Sequence, residues 1–406
     1  MSAATIETTP EATEQGFSAS VNVAEMGRAL LAVKPCINVN NLTVTLTAND
    51  GRLVVMAENY DMSIAYECNA DASEASGTLV ARHKELTDYL RTRSGADLLN
   101  MCGSGGALRL GDSLSIPATP TTGRRSGEVD VEFEPYARML ASALRDGLVQ
   151  TLPFAAPDGS RPALECVLFN PKPKSGTGSD VPDALRLVTA DGFRLGVSLL
   201  VDCFLKEAVA APLLLHRHAA KALAGLIYAE RRNGVSASVV SVSVEVDASR
   251  TVARFSSGKW VMVARLEQAT FPNYEQLVPA IRDAAVHIAV RTTDLLPAAK
   301  AAYAVSKRSN GLIRMVANLD GDNIHLSATA DGAGSFGAEV PVVVNRATGD
   351  ATKGAGRFAV QGKYLLDFLA GAGDHVNIHL TTPTAQGRFD GSSGLTAIIM
   401  PMFVNW

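Results

Sequence analysis

The sequence predicts an α+β protein built from three tandem copies of one unit, each with two helices and antiparallel sheet. Three observations predict it. The order helix, hairpin strands, helix, strands recurs three times along the 406 residues. Turn residues of one kind close a hairpin in each copy: Glu58-Asn59-Tyr60-Asp61, Ala190-Asp191-Gly192 and Ala330-Asp331-Gly332, where Asn, Asp and Gly accept the dihedrals of a tight reversal. The spacing is nearly constant, 132 residues from Asn59 to Asp191 and 140 from Asp191 to Asp331. That is too long for a solenoid repeat of about 20–50 residues, so each copy is expected to be a domain with its own core. The boundaries are residues 1–16 as a tail, 17–127 with a linker, 128–279 and 280–406.

In the first copy, Met26, Leu30 and Val33 share one stripe of a helix over 24–34 that Pro35 stops. Strands follow at 42–47 and 53–57 around Asn49-Asp50-Gly51, and at 63–67 after the Asn59 turn. A helix at 84–93 leads to strands at 98–102, 108–110 and 113–116. Residues 117–127, rich in Pro, Thr, Gly and Ser, read as a linker.

In the second copy, Tyr136, Leu140 and Leu144 suggest a helix over 136–145. Strands at 164–169 and 184–200 contain the middle hairpin, and 170–183 reads as an inserted surface loop. The clearest helical spacing is at 215–230, through Leu215, Ala219, Ala222, Leu223, Leu226 and Ile227. Val240, Val242, Val244 and Val246 then alternate with polar residues as a half-buried strand. Strands at 252–255 and 260–265 close the copy.

The third copy opens with a helix from Thr293, read as its cap, to about Lys307, with Pro297 in the first turn. A strand at 324–328, a short helix at 364–369 and strands at 376–380 and 395–400 complete it.

Composition narrows the function. Hydrophobic residues at 47% with 19% charged predict a folded, soluble chain. Five scattered cysteines without a Cys-x-x-Cys pair fit a reducing cytoplasm and suggest neither disulfides nor a zinc site. Residues 1–15 lack the basic start and apolar run of a secretory signal and read as disordered. No apolar run reaches the roughly 20 residues that span a bilayer.

Phosphate loops, His-Glu-x-x-His and Gly-x-Ser-x-Gly are absent, so no catalytic residue, cofactor or metal is expected. His216 and His218, two apart on the predicted helix, point to different faces and cannot share a metal from there.

A net charge of −4 gives no global attraction to polyanions, so any such binding comes from local clustering. The cations do cluster by element. Arg28, Lys34, Arg82, Lys84 and Arg91 fall in or beside the first two predicted helices, and Arg138, Arg145, Arg217 and Lys221 beside the next two. Lys300, Lys307 and Lys363 fall in or beside the last two. Arg138 with Arg145, and Arg217 with Lys221, are spaced to share a face. Without aromatic interleaving, such a surface suits sequence-independent phosphate contacts.

Three segments carry a resemblance to the bacterial sliding clamps, the beta subunits of DNA polymerase III. Thr189-Ala-Asp-Gly-Phe-Arg-Leu195 is similar to the family's Ala-Thr-Asp-Gly-His-Arg-Leu, Phe271-Pro-Asn-Tyr-Glu-Gln-Leu-Val-Pro279 to its Phe-Pro-Asp-Tyr run, and Ile399-Met-Pro-Met402 to its Val-Met-Pro-Met. The resemblance implies three clamp domains per chain and a head-to-tail homodimer closing a six-domain ring around duplex DNA. It also implies partners, a DNA polymerase and a clamp loader, that insert a short peptide between the second and third domains. A peptide-binding scaffold of the same fold that does not encircle DNA is the competing reading.

Carried over residue by residue, the peptide pocket would use Gly192, Arg194 and Leu195 from the hairpin and Leu164 with Arg161 at its edge. Pro272 and Leu277, and then Ile398, Met400, Pro401 and Met402, would complete it. Methionines and aliphatics make an adaptable apolar groove, and Arg194 would supply a fixed donor. Phe193 stands where the family has His, and Phe403 and Trp406 are expected to line or partly occlude the pocket. The dimer interface would set Leu114 and Ile116 on a first-domain edge against Ala304 and Val305, held more by edge-strand pairing than by charge.

Overall fold

Strict alternation makes the strand Thr43–Asn49 bury Val44, Leu46 and Ala48 on one face, and the same period-two logic recurs through most of the sheet. The computed structural model describes residues 17–49, 51–72, 77–121, 131–172, 184–201, 203–206, 211–231, 240–318, 322–332, 334–347 and 356–406. The chain divides into two units, Met1–Val131 with Ser256–Val263, and Glu132–Phe255 with Ala264–Trp406.

In the first unit, helix α1 (Val23–Val33) starts where Asn22 Oδ1 accepts the Ala24 N–H (2.9 Å), a side-chain cap for a backbone donor that would otherwise lack a partner. It buries Met26, Leu30 and Val33, as the periodicity predicts, and gives way to a 3-10 turn at Pro35. Helix α2 (His83–Leu90) packs beside it, tied by His83 Nε2 to Leu30 O (3.0 Å). The strands run in the order Phe17–Asn22, Leu98–Ser104, Ala107–Leu110, Leu114–Pro120, Gly77–Arg82, Thr43–Asn49, Arg52–Glu58, Met62–Asp71.

The expected linker is partly strand. Leu114–Pro120 pairs Leu79 with Pro120 and Ala81 with Ala118, so sheet pairing outweighs the local Pro and Thr content. Residues 122–127 of that linker lie outside the described residues.

In the second unit, the helix expected at 136–145 is a strand for its first half. Phe133–Leu140 pairs with Ser241–Asp247 through a bulge at Val244/Glu245, and only then does α3 (Ala141–Thr151) begin. Tyr136, Ala137 and Met139 are buried, and pairing with Ser241–Asp247 decides the conformation.

The strand Leu213–His216 likewise takes the first two residues of the helix read at 215–230, so α4 is Arg217–Arg231 and packs on α3. Helix α5 (Thr292–Ser306) has Arg291 and not Thr293 at its N-cap, and Pro297 is its sixth residue, beyond the first turn. Helix α6 (Gly362–Leu369) lies against α5. Of the expected inserted loop, residues 170–172 end the strand Cys166–Lys172 and 173–183 lie outside the described residues.

One nine-stranded sheet runs through this unit. Its order is Leu213–His216, Cys166–Lys172, Ala184–Ala190, Arg194–Val201, Leu395–Ile399, Gly387–Gly391, His375–Leu380, Val286–Arg291, Val343–Ala347. Its central pairing sets Arg194 opposite Ile399 and Leu195 opposite Ile398, so the middle hairpin and the last strand of the chain are neighbours in a single sheet. A four-stranded sheet, Gly334–Pro341, Asn323–Ala330, Leu312–Asn318 and Arg357–Gln361, lies in the same unit, as do the paired strands Phe133–Leu140 and Ser241–Asp247. Among the described residues no helix is long and apolar enough to cross a membrane.

Candidate functional site

The middle hairpin turns on one carboxylate. Asp191 Oδ1 accepts the N–H groups of Phe193 (2.9 Å) and Arg194 (3.0 Å), and Gly192 takes φ +95° between them, a conformation in which a Cβ is strained. The Asn59 hairpin repeats the motif, Asn59 Oδ1 accepting from Asp61 (2.9 Å) and Met62 (3.0 Å). The Asp331 hairpin instead turns through Gly332 and Gly334, both at positive φ.

Arg194 is buried and directed inward. Its Nε donates to Asp191 Oδ2 (2.8 Å), Nη1 to Asp367 Oδ2 on α6 (2.7 Å) and Nη2 to the Pro153 carbonyl (2.6 Å). The guanidinium also lies over the Tyr364 ring, 4.2 Å from its centroid, and 5.1 Å from that of Phe154. The expectation of a donor free for a ligand is therefore corrected: with these acceptors around it, Arg194 is an anchor for the hairpin.

Beside it, Leu195 and Ile398 pack with Ala163, Leu168, Leu214 and Tyr274 in one buried cluster, and Leu164 is buried next to Ala163. Leu277, Met400 and Met402, expected in the pocket, are exposed at 49%, 47% and 39%, as is Phe193 at 64%. A ligand could reach these apolar groups. Arg161 and Pro272 are exposed and Pro401 is half-buried. Leu277 follows the Tyr274 turn, its N–H bonded to Tyr274 O (2.9 Å), and Met400 N–H bonds Phe193 O (2.9 Å). The expected pocket residues of the hairpin, the Tyr274 turn and the last strand are thus brought to one neighbourhood.

The final residues depart from expectation. Met402 N–H bonds Ala359 O (2.8 Å), Asn405 O accepts from Arg314 Nη2 (3.5 Å) and Trp406 lies 5.8 Å from the Arg357 guanidinium. The segment therefore runs onto the four-stranded sheet, with Phe403 exposed.

The cations divide into free and engaged. In the first unit, Lys34, Lys84 and Arg91 line one groove between α1 and α2 together with Leu30, Leu31 and Leu90. Lys84 and Arg91 both approach Asp88, at 4.0 and 3.1 Å. Arg82 is the last residue of its strand, not helical, and is exposed.

Arg28 is held by Glu25, which also binds Lys259. Burial pushes the Glu25 carboxyl up, but the hydrogen bonds from Lys259 and Arg28 outweigh it and hold it below the usual range.

In the second unit, Lys221, Lys300 and Lys307 are exposed. Arg138 is corrected from helix to strand, bonded to Ser241 Oγ (2.9 Å), so it shares no helical face with Arg145. Arg145 lies over the Tyr228 ring (5.1 Å) and Arg217 donates to Ala156 O (2.8 Å). Lys363 bonds Asp367 (2.9 Å), the acceptor that Arg194 also uses.

Of the expected interface residues, Leu114 is half-buried and Ile116 buried. They pair with Leu110 and Leu108, while the neighbour on the other side begins only at Ala118. Among the described residues, this stretch is thus paired on one side. On α5, Ala304 is exposed and Val305 half-buried.

His216 ends a strand and His218 sits in the first turn of α4, so the two rings are 4.9 Å apart and not on opposite helix faces as expected. Sequence reasoning also missed Asp367, Tyr364 and Pro153 around Arg194. The local Asp-x-x-Arg spacing signals the first ion pair only, because the other partners come from distant segments.

No protein-family model matches the sequence, and no curated protein sequence matches it. Solved structures do match. The DNA polymerase III beta subunit from Thermotoga maritima aligns at TM-score 0.78 and 17% identity, covering 96% of this chain and 100% of that one. The DNA polymerase sliding clamp from Pseudomonas aeruginosa aligns at 0.79 and 17%, and that from Caulobacter crescentus at 0.77 and 18%, with the same coverage. The chain has the fold of these proteins.

Proposed function

We propose that this chain, with the sliding-clamp fold along nearly its whole length, is a non-catalytic processivity clamp of DNA replication in the cytoplasm. Two copies, each contributing three clamp domains, close head to tail into a ring, satisfying the closure rule for heterologous interfaces. Duplex DNA passes through it, met by Lys34, Lys84, Arg91, Lys221, Lys300 and Lys307 from the helices. Weak phosphate contacts without base readout permit sliding. The ring then stays on DNA by topology, and a loader opens it.

A replicative polymerase and the loader dock short apolar peptides at the hairpin beside the last strand, against Leu277, Met400 and Met402. Methionine adapts to several peptides, and a rigid hairpin held by Arg194 positions the wall they meet.

The observation that carries this reading is the likeness over 96% of this chain and 100% of its structural neighbours. No observation favours a scaffold that does not encircle DNA.

Loading onto nicked circular DNA tests it. The protein should stay bound through a high-salt wash, which removes phosphate-only contacts, and should leave when the circle is linearised. Loss of binding in salt on the intact circle would overturn the proposal.

A further inference from the structure

Away from the hairpin, two carboxylates and two imidazoles converge where the loop before Cys166 meets the start of α4. Asp158 lies in the loop and Glu165 at its end, in the 3-10 turn Pro162–Glu165. The loop is closed by Ala156 N–H to Leu164 O (2.9 Å). The sheet fixes the other side, since Cys166 pairs opposite His216, which sets His216 beside Glu165.

We propose that Asp158, Glu165, His216 and His218 form a zinc site. One ligand atom each from Asp158, Glu165 and His216 lies within 4.8 Å of the others. His218 Nε2 is 3.1 Å from Asp158 Oδ2, and His216 Nε2 is 3.6 Å from Glu165 Oε2. Zinc bonds of about 2.0–2.1 Å in tetrahedral geometry put neighbouring ligand atoms about 3.3 Å apart, a spacing these two pairs bracket.

The donor set selects the ion. Two imidazoles with two carboxylates suit zinc, whereas magnesium and calcium take oxygen shells. Two carboxylates carry the charge that a dication cancels, and zinc takes imidazole as a neutral ligand. Asp158 and His218 are exposed and free to close the remaining gap.

The proton count is simple. His216 Nδ1 accepts a long contact from the His218 N–H (3.4 Å), which places the ring proton on Nε2. When zinc binds Nε2, that proton moves to Nδ1 and the long contact is exchanged for water, which the half-buried ring can reach. Cys166 takes no part, because its Sγ is turned to Pro162 O (3.3 Å).

Calorimetric titration of zinc into tag-free, chelator-treated full chain at neutral pH tests the site. One zinc per chain should bind, unaffected by millimolar magnesium, and raise the melting temperature. Asp158→Asn and His218→Gln should each weaken binding at least about tenfold, in line with the loss of one ligand. Both are exposed, so their metal-free melting should match the parent. Cys102→Ser, which removes the exposed thiol, should keep full affinity. Absence of binding, parental affinity in both ligand variants, or displacement by magnesium would each overturn the proposal.

Discussion

Arg194 donates from Nη1 to Asp367 Oδ2 at 2.7 Å, joining the middle hairpin to a helix 173 residues further along the chain. Replacing it removes a cation from between two largely buried carboxylates, Asp191 and Asp367. Arg194→Ala should therefore cost about 3 kcal/mol, the scale for breaking a buried ion pair. Arg194→Lys should not restore it, since a point charge cannot meet three acceptors in one plane. Urea denaturation reads both, and an alanine variant as stable as the parent would refute the anchoring role.

Two glycines should respond with opposite signs. A Cβ on Gly196 would meet Phe154 Cδ2 at 2.7 Å, so Gly196→Ala should lose about 1–3 kcal/mol by overpacking. At Gly225, inside α4, nothing lies within 4 Å of the added atom. Gly225→Ala should gain roughly 0.5–1 kcal/mol through helix propensity. Melting curves of the two variants, shifted in opposite directions, check the packing directly.

Glu25 predicts an acid-sensitive first unit. Burial raises its pKa, but the bonds from Lys259 and Arg28 prevail and lower it. A depressed carboxyl contributes stability that is complete above its ordinary value, about 4.3, and that is lost as pH falls through the folded value. Glu25→Gln should cost about 2 kcal/mol at neutral pH, the scale of charged hydrogen bonds. The gap from the parent should narrow below about pH 4. Denaturation midpoints measured from neutral pH to pH 3 would show an unchanging gap if Glu25 were not the group responsible.

The exposed methionine and the final tryptophan separate docking from decoration. Met400→Ala should weaken a clamp-binding peptide roughly tenfold by losing a buried contact in the complex. It should leave stability within about 0.5 kcal/mol, as for exposed positions. Deleting Trp406, which lies against Arg357, should leave peptide affinity unchanged. Fluorescence anisotropy with a labelled peptide distinguishes them, and a large loss on Trp406 deletion would return the tail to the pocket.

The elements most legible in the sequence were those whose side-chain period agrees with their final environment. The stripe of Met26, Leu30 and Val33 and the alternation of Val242, Val244 and Val246 both stand where periodicity placed them. The failures share a cause. Tyr136 and Leu140 fit a helical stripe, yet their segment lies beside Ser241–Asp247, and a pairing partner about a hundred residues away outweighs local spacing.

The candidate site divides the same way. Asp191-Gly192 announces a turn, and Met400 and Met402 announce an adaptable surface. That Arg194 would spend its donors inward was not legible, because Asp367 and the Pro153 carbonyl arrive only through folding. His216 was misread for the same reason: its strand pairing with Cys166, not its distance from His218, decides where the ring points.

The shared turn of Asn59 and Asp191 carries a last consequence. Both oxygens receive the amides two and three residues ahead, so as scaffolding the two residues are synonyms. Their contexts differ in what stands at the third place, Met62 in one and Arg194 in the other. An amide suffices where a methionine follows. Where an arginine follows, the second oxygen must carry charge, so one nitrogen-for-oxygen exchange is enough to turn a plain reversal into a fastening point.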